Sequence, residues 1–272
     1  MRSRGFTLAE LAIALVIVGF LLASTLIPLS TQIEVRSVSD TRRTMDDIKD
    51  SIIGFAQANG RLPCPADPAL LSGAAGAGAE RATCTLANQV GVVPWATLGT
   101  PELDAWGRRF TYRVASIFAD PIASATYASA GQAITCTPPT NPAIPAPTLA
   151  SFTLCSQGDV TVYTRDPNNH ATTTTLAGAA AAVIISHGKN GRGAALPAGL
   201  PPSRLVAAAG TDEFANHNFS TAPTSYYSRD PTPSASTCND TSGTVFCEFD
   251  DIVTWISPST LVARMVSAGR LP

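Results

Sequence analysis

Charge is scarce in this 272-residue sequence: 14% of residues are Asp, Glu, Lys or Arg, and 18 basic against 20 acidic side chains leave a formal net charge of −2. A balance so close to neutral gives no electrostatic footprint for nucleic acid. So few charges also exclude a highly charged disordered chain. Metal signatures are missing too, because the six cysteines contain no Cys-x-x-Cys pair and His170, His187 and His217 stand at no ligand spacing to one another. There is no Gly-x-Ser-x-Gly elbow and no His-Glu-x-x-His pair. Ser186-His187 sets a nucleophile beside a base in sequence, but neighbours on a strand point to opposite faces. The following Gly188-Lys189-Asn190 is no phosphate loop, since Gly-Lys there precedes neither Ser nor Thr. The 20 glycines and 21 prolines are scattered among Ala, Ser and Thr without a repeat, which excludes collagen. The expectation is a protein that is not an enzyme.

What the sequence does have is apolar residues, 45% of the total, and they crowd the N-terminus. Residues 11–33 carry no charge, and 11–29 are apolar apart from Ser24 and Thr25. As a helix that run is long enough to cross a ~30 Å hydrocarbon core. A secretory signal peptide has a shorter apolar core, of about 7–15 residues, and a small-residue cleavage box that is not found after this run. Arg2 and Arg4 precede the run and Glu34 follows it, so the positive-inside bias puts the N-terminus in the cytoplasm and the remainder outside.

Glu10 does not fit a simple anchor. It sits inside the apolar segment that starts at Phe6, where a carboxylate either marks the interfacial end of the helix or requires a partner. The surrounding Gly5-Phe6-Thr7-Leu8-Ala9-Glu10-Leu11, preceded by two arginines and followed at once by a membrane-length apolar run, resembles the processing site of type IV pilins and type II secretion pseudopilins. The resemblance implies that residues 1–5 are a leader removed after Gly5 by a prepilin peptidase. Phe6 is then the methylated mature N-terminus, and Glu10 is the glutamate that assembly needs. It also implies the partners: other pilin or pseudopilin subunits, the inner-membrane assembly platform and membrane lipid. The location implied is the bacterial inner membrane, single-pass, with the head periplasmic. Cleavage makes a cationic amine at Phe6, and a carboxylate on an adjacent subunit can neutralise it as helices stack. On this reading Glu10 finds its partner only in the polymer.

The helix is expected to continue past the membrane half, 6–33, into an amphipathic half, 34–59. Val35, Val38, Met45, Ile48, Ile52 and Phe55 recur at helical spacing among Asp, Arg and Lys residues. Asn59-Gly60 supplies a left-handed cap, and Pro63 and Pro65 forbid continuation. At about 1.5 Å per residue such a helix is about 80 Å long. Pro28 should bend or loosen it midway.

Residues 60–272 form the expected extracytoplasmic head. The end of the helix through Pro65, the Pro94-Trp95 segment, the Asp104-x-Trp106-Gly107 turn and the C-terminal Asp251-Ile252-Val253-x-Trp255 run are similar, in order, to stretches of the major pseudopilins. The residues themselves predict a half-buried strand over 110–114, a strand over 181–186 feeding a Gly-rich turn, a final strand over 245–257 and a short helix around 261–266. The fold class is α+β, a long N-terminal helix packed on a small antiparallel sheet with long loop insertions. Two insertions, 121–158 and 196–237, are rich in Pro or in Pro, Ser and Thr, and Tyr226-Tyr227 in the second is placed to pack onto the head. The enlarged head opens an alternative, a minor or tip subunit that binds a surface, a substrate or DNA.

Cys64, Cys84, Cys136, Cys155, Cys238 and Cys247 all follow the helix, where an oxidising compartment favours disulfides. Sequence leaves the pairing open, although Cys64 with Cys84, Cys136 with Cys155 and Cys238 with Cys247 would each close a loop between sequence neighbours. The resemblance to the major pseudopilins further implies Ca²⁺ between the turn after Ser186 and the acidic C-terminal strand. The corresponding positions are around Ser186, Asn190, Asp250 and Asp251, with Asp212, Glu213 and Asn216 as further oxygen ligands, and calcium accepts such mixed oxygens at roughly 2.3–2.6 Å. Solvated turn formers are the alternative reading of the same acids and amides.

Overall fold

The computed structural model describes residues 7–84, 88–119, 127–128, 144–145, 150–154, 156–198, 210–217 and 223–271, without the side chains of 21–31, 127, 128, 144 and 145. The chain divides into two compact units, Met1–Asp40 and Thr41–Pro272. Helix α1, Leu8–Asn59, begins in the first and ends in the second. In the first unit the apolar side chains from Leu8 to Phe20, together with Ile33 and Val35, are exposed. Among the described residues no helix is long and apolar enough to cross a membrane. The uncharged stretch expected to do so contains residues 21–31, and the bend expected at Pro28 falls on them as well; their side chains lie outside the described residues.

In the second unit the stripe of α1 is Thr41, Met45, Ile48, Ile52, Ile53 and Ala56, all buried. The expected stripe is corrected at both ends, because Val35 is exposed and Phe55 is half-buried. The helix stops where the residues require: Gly60 takes φ of 73° and donates its N–H to the Ala56 carbonyl. Asn59 Nδ2 donates to the Phe55 carbonyl at 2.9 Å, and Arg270, near the far end of the chain, donates to the carbonyls of Gln57 and Ala58. These donors satisfy carbonyls that a helix C-terminus leaves orphaned.

After α1 the order is β1 (Val90–Val92), α2 (Trp95–Leu98), β2 (Thr111–Val114), α3 (Ser116–Ala119), β3 (Tyr127–Ala128), β4 (Ile144–Pro145), β5 (Val160–Asp166), β6 (Asn169–Ala180), β7 (Ala182–Ser186), α4 (Thr211–Asn216), β8 (Ser225–Tyr227), β9 (Ile252–Ile256) and α5 (Pro258–Ser267). Four strands make an antiparallel sheet in the order β1-β2-β7-β9. On one face Tyr112, Val114, Ala182, Ile184 and Ile256 pack with Met45, Ile48 and Ile52 of α1 and Leu261 and Met265 of α5. On the other, Val183 and Ile185 pack with Val160, Val162 and Tyr226 of a second sheet, ordered β6-β5-β8.

The expectation of a half-buried strand over 110–114 is therefore corrected. Because both faces of the first sheet are covered, β2 is buried throughout, polar positions included. Arg113 is buried and its guanidinium pairs with Asp159. The final strand is shorter than expected, starting at Ile252 instead of Val245. Upstream, Cys247 is bonded to Cys238 and Phe249 bridges to Thr232, so this stretch is tied to its own neighbours and not to the sheet. The second sheet also departs from an all-antiparallel expectation: β8, which carries Tyr226 and Tyr227, runs parallel to β5.

A second disulfide joins Cys64 to Cys84. Cys136 and Cys155 lie outside the described residues, as does most of the 121–158 insertion. The loop between the bonded Cys64 and Cys84 is held by fully buried Arg109, which donates to Glu102, Ser72 and the carbonyls of Pro68 and Leu70 and stacks on Trp95. Gly78 in that loop has φ of 70°, and a Cβ there would stand 2.3 Å from the Trp95 ring, so only glycine fits.

Candidate functional site

The first candidate is the start of α1. Thr7 precedes the helix, and its N–H and hydroxyl both donate to Glu10 Oε2 at 2.9 Å, while the Glu10 N–H donates to Thr7 Oγ1 at 3.3 Å. This reciprocal arrangement is a capping box, in which a Thr and the Glu three residues later satisfy each other's backbone donors. It corrects the expectation that Glu10 finds a partner only in a polymer. The Thr-x-x-Glu spacing ahead of an apolar run is itself the sequence signal for such a cap. Both residues are exposed, so the contact is exchangeable. Gly5 and Phe6 lie outside the described residues.

The second candidate lies where the turn after β7 meets the entry to β9. The antiparallel pairing sets Ser186 opposite Ile252, which brings residues 187–193 against Asp250 and Asp251. Gly188 makes the approach possible: its φ is 52°, and a Cβ would fall 2.3 Å from the Asp250 carbonyl oxygen. Helix α4 contributes Glu213 and Asn216 from the insertion.

Each of three carboxylates here has one oxygen held by an amide and one left bare. Asn190 Nδ2 donates to Glu213 Oε1 at 2.7 Å, the Asn190 N–H donates to Asp250 Oδ2 at 2.7 Å, and Asn216 Nδ2 donates to Asp251 Oδ2 at 2.8 Å. Glu213 Oε2, Asp250 Oδ1 and Asp251 Oδ1 are buried and make no hydrogen bond among the described residues. One ligand oxygen from each of the three lies within 4.8 Å of the others. His187 lies beside the cluster, its Nδ1 3.3 Å from Asp251 Oδ1 and its Nε2 bonded to Thr111 Oγ1. Burial, then the charge of Asp251, pushes the Glu213 carboxyl up to about 8. Burial also raises Asp250, and the Glu213 and Asp250 carboxyls are close enough to share a proton.

Of the residues expected around a cation, Asn190, Asp250, Asp251, Glu213 and Asn216 converge. Ser186 does not, since its hydroxyl donates to Asp104 Oδ2 at 2.7 Å. Asp212 faces away, accepting from Arg165 and Arg229. Ser186 and His187 have different partners and do not form a nucleophile-base pair. The amide oxygens of Asn190 and Asn216 accept from the Arg192 and Tyr227 N–H groups, so the oxygens left to face an ion are those of the three carboxylates, a set that fits Ca²⁺.

Residues 1–26 match the prokaryotic N-terminal methylation motif, the prepilin-type signature of pilins and pseudopilins. No curated protein and no solved structure matches the chain significantly. The long N-terminal helix followed by an antiparallel sheet makes an α+β chain consistent with a pilin-like fold.

Proposed function

We propose that this chain is a structural subunit of a type IV pilus or type II secretion pseudopilus that polymerises through α1. The observation that carries the reading is the prepilin-type signature over residues 1–26, continuous with a helix whose apolar side chains are exposed from Leu8 to Phe20. Exposed apolar surface of that extent needs lipid or another helix to cover it. Cleavage after Gly5 and methylation of Phe6 leave the Thr7–Glu10 cap intact. On extraction from the inner membrane, Glu10 would exchange Thr7 for the cationic amine of a neighbour's Phe6 while the helices pack. The role is structural, not catalytic.

A tip or minor subunit is the second reading, favoured by the size of the head: β5, β6, α4 and β8 add a layer to the four-stranded sheet. We also propose that the head binds Ca²⁺ through Asp250 and Asp251. The ion would supply the positive charge that these buried carboxylates lack and tie the turn after β7 to the entry of β9.

Topology and placement test the first reading. Alkaline phosphatase fused after Asn59 is expected to be active, and a cytoplasmic reporter fused there silent; the reverse pattern would contradict a periplasmic head. Immunogold against the head should decorate fibres along their length, and label confined to fibre ends would favour the tip reading.

A further inference from the structure

We propose that the solvent face of α1 beyond Thr41 is a docking surface for a second copy of the chain. The second helix runs alongside, displaced along the axis, so that the arginines of one copy meet the aspartates of the next. This rests on the polymerisation reading above and names the surface that the head end of the helix uses. Met45, Ile48 and Ile52 turn one side of α1 to the sheet. On the opposite side Arg42, Arg43, Asp46, Asp47, Asp50 and Gly54 are all exposed. The charges are sorted by height, the two arginines first and the three aspartates after them, and half-buried Lys49 at the margin leaves the second band negative. At about 100° per residue, Arg42 and Asp46 share one flank of this face, and Arg43 and Asp47 share the other. Each pair stands one turn apart, yet among the described residues no ion pair joins them. Basic before acidic is also the weaker order for pairing within a helix. A partner of a single sign would be repelled by one band or the other. A copy of the same chain, displaced by three to seven residues or about 5–10 Å, satisfies both. Its Arg43 then stands level with Asp46 at the short end of that range and with Asp50 at the long end.

Gly54 is independent evidence that another helix comes close. It lies on the same stripe as Arg43, Asp47 and Asp50, and glycine is among the least favourable residues inside a helix. Nothing in the chain calls for it, because a Cβ there would meet no atom within 4 Å. What a bare Cα offers is the close approach of another backbone. A solvated face has no use for that, whereas a packed one does. Charges drawn into such a contact lose water and need opposite partners, which the displaced copy supplies.

The test is fibre yield from the full chain in a host with its own assembly machinery. Leader removal and the thermal midpoint of detergent-extracted protein are measured beside it. Arg42→Asp with Arg43→Asp should lower the yield by about tenfold or more, and so should Asp46→Arg with Asp47→Arg and Asp50→Arg. All five changes together should restore it to within about threefold of wild type, because the bands have only exchanged signs. Gly54→Ala should hold or raise the thermal midpoint, since alanine favours the helix, while fibre yield falls by about tenfold. A glycine needed only by the fold would lower the midpoint instead. Wild-type yield from either reversed band or from Gly54→Ala, or a combined variant no better than its parts, overturns the docking face. Wild type that is cleaved after Gly5 but forms no fibre overturns the polymerisation reading itself, and the docking face with it.

Discussion

Replacing Glu10 with Ala is expected to leave a protein that is cleaved after Gly5 and inserted in the membrane but yields no fibres. The argument is electrostatic. Processing creates a cationic amine at Phe6, and stacking the N-terminal helices takes that charge out of water. An uncompensated buried charge costs about 3–5 kcal/mol relative to the intact pair. That is about 100-fold or more in each subunit's association constant, and a polymer multiplies the deficit over every added subunit. The Thr7 cap sharpens the prediction, because Glu10 also works inside its own helix by accepting from the Thr7 N–H and hydroxyl. Losing only a cap costs about 0.5–2 kcal/mol. Thr7→Val, which removes the hydroxyl and leaves the carboxylate, should therefore assemble where Glu10→Ala does not. Sheared-fibre yield measured alongside leader removal separates the two. Normal fibres from Glu10→Ala would show that assembly needs neither the charge nor the cap of Glu10, and equal failure of both variants would show that capping and not charge neutralisation is its role.

The largest effect on head stability is expected at Asp212. Its carboxylate is fully buried, accepts Arg165 Nε at 2.7 and 2.9 Å, and accepts Arg229 Nε at 3.2 Å. Arg229 reaches on to Asp240 and the Cys247 carbonyl and lies over Phe246 and Phe249, and Arg165 lies over Tyr227 and donates to the His170 carbonyl. Burial holds the Asp212 carboxyl above the usual carboxylate range despite both arginines, so the network is not a net source of stability in proportion to its bonds. Breaking it is another matter: Asp212→Ala leaves the buried Arg165 guanidinium without its carboxylate and Arg229 with Asp240 alone, and should cost about 3–5 kcal/mol, against a total of about 5–15 kcal/mol for a domain. Asp67→Ala is the control. Its 3.5 Å pair with Arg81 is partly exposed, and such pairs are worth about 0–1 kcal/mol. Denaturant midpoints compare the two, and an Asp212→Ala shift no larger than the control's would sink the claim.

Local chemistry made some elements readable. The apolar run 181–186 ahead of a Gly-rich turn reads as a strand, and Asn59-Gly60 with two prolines beyond it reads as the end of a helix. The second sheet was hidden for physical reasons. Much of β6 is exposed, so its threonines show no alternation between core and solvent. Strand β8 is three residues long and exists through pairing with β5, far away in sequence. Val245 to Phe249 has the composition of a strand, yet the Cys238–Cys247 bond and the bridge to Thr232 win over propensity. At the carboxylate cluster the acids were visible in the sequence, but which of them converge was not. Nothing local distinguishes Glu213, aimed inward, from Asp212 beside it, which turns to two arginines brought from β5 and from beyond β8.

The most direct test of the central claim is intact and N-terminal peptide mass spectrometry of the membrane-bound protein from a host with its own prepilin peptidase. A chain that begins at N-methylated Phe6 is the predicted result. A chain that still begins at Met1, or one cut after Ile33, would contradict it and reduce the N-terminal segment to an anchor or an export signal.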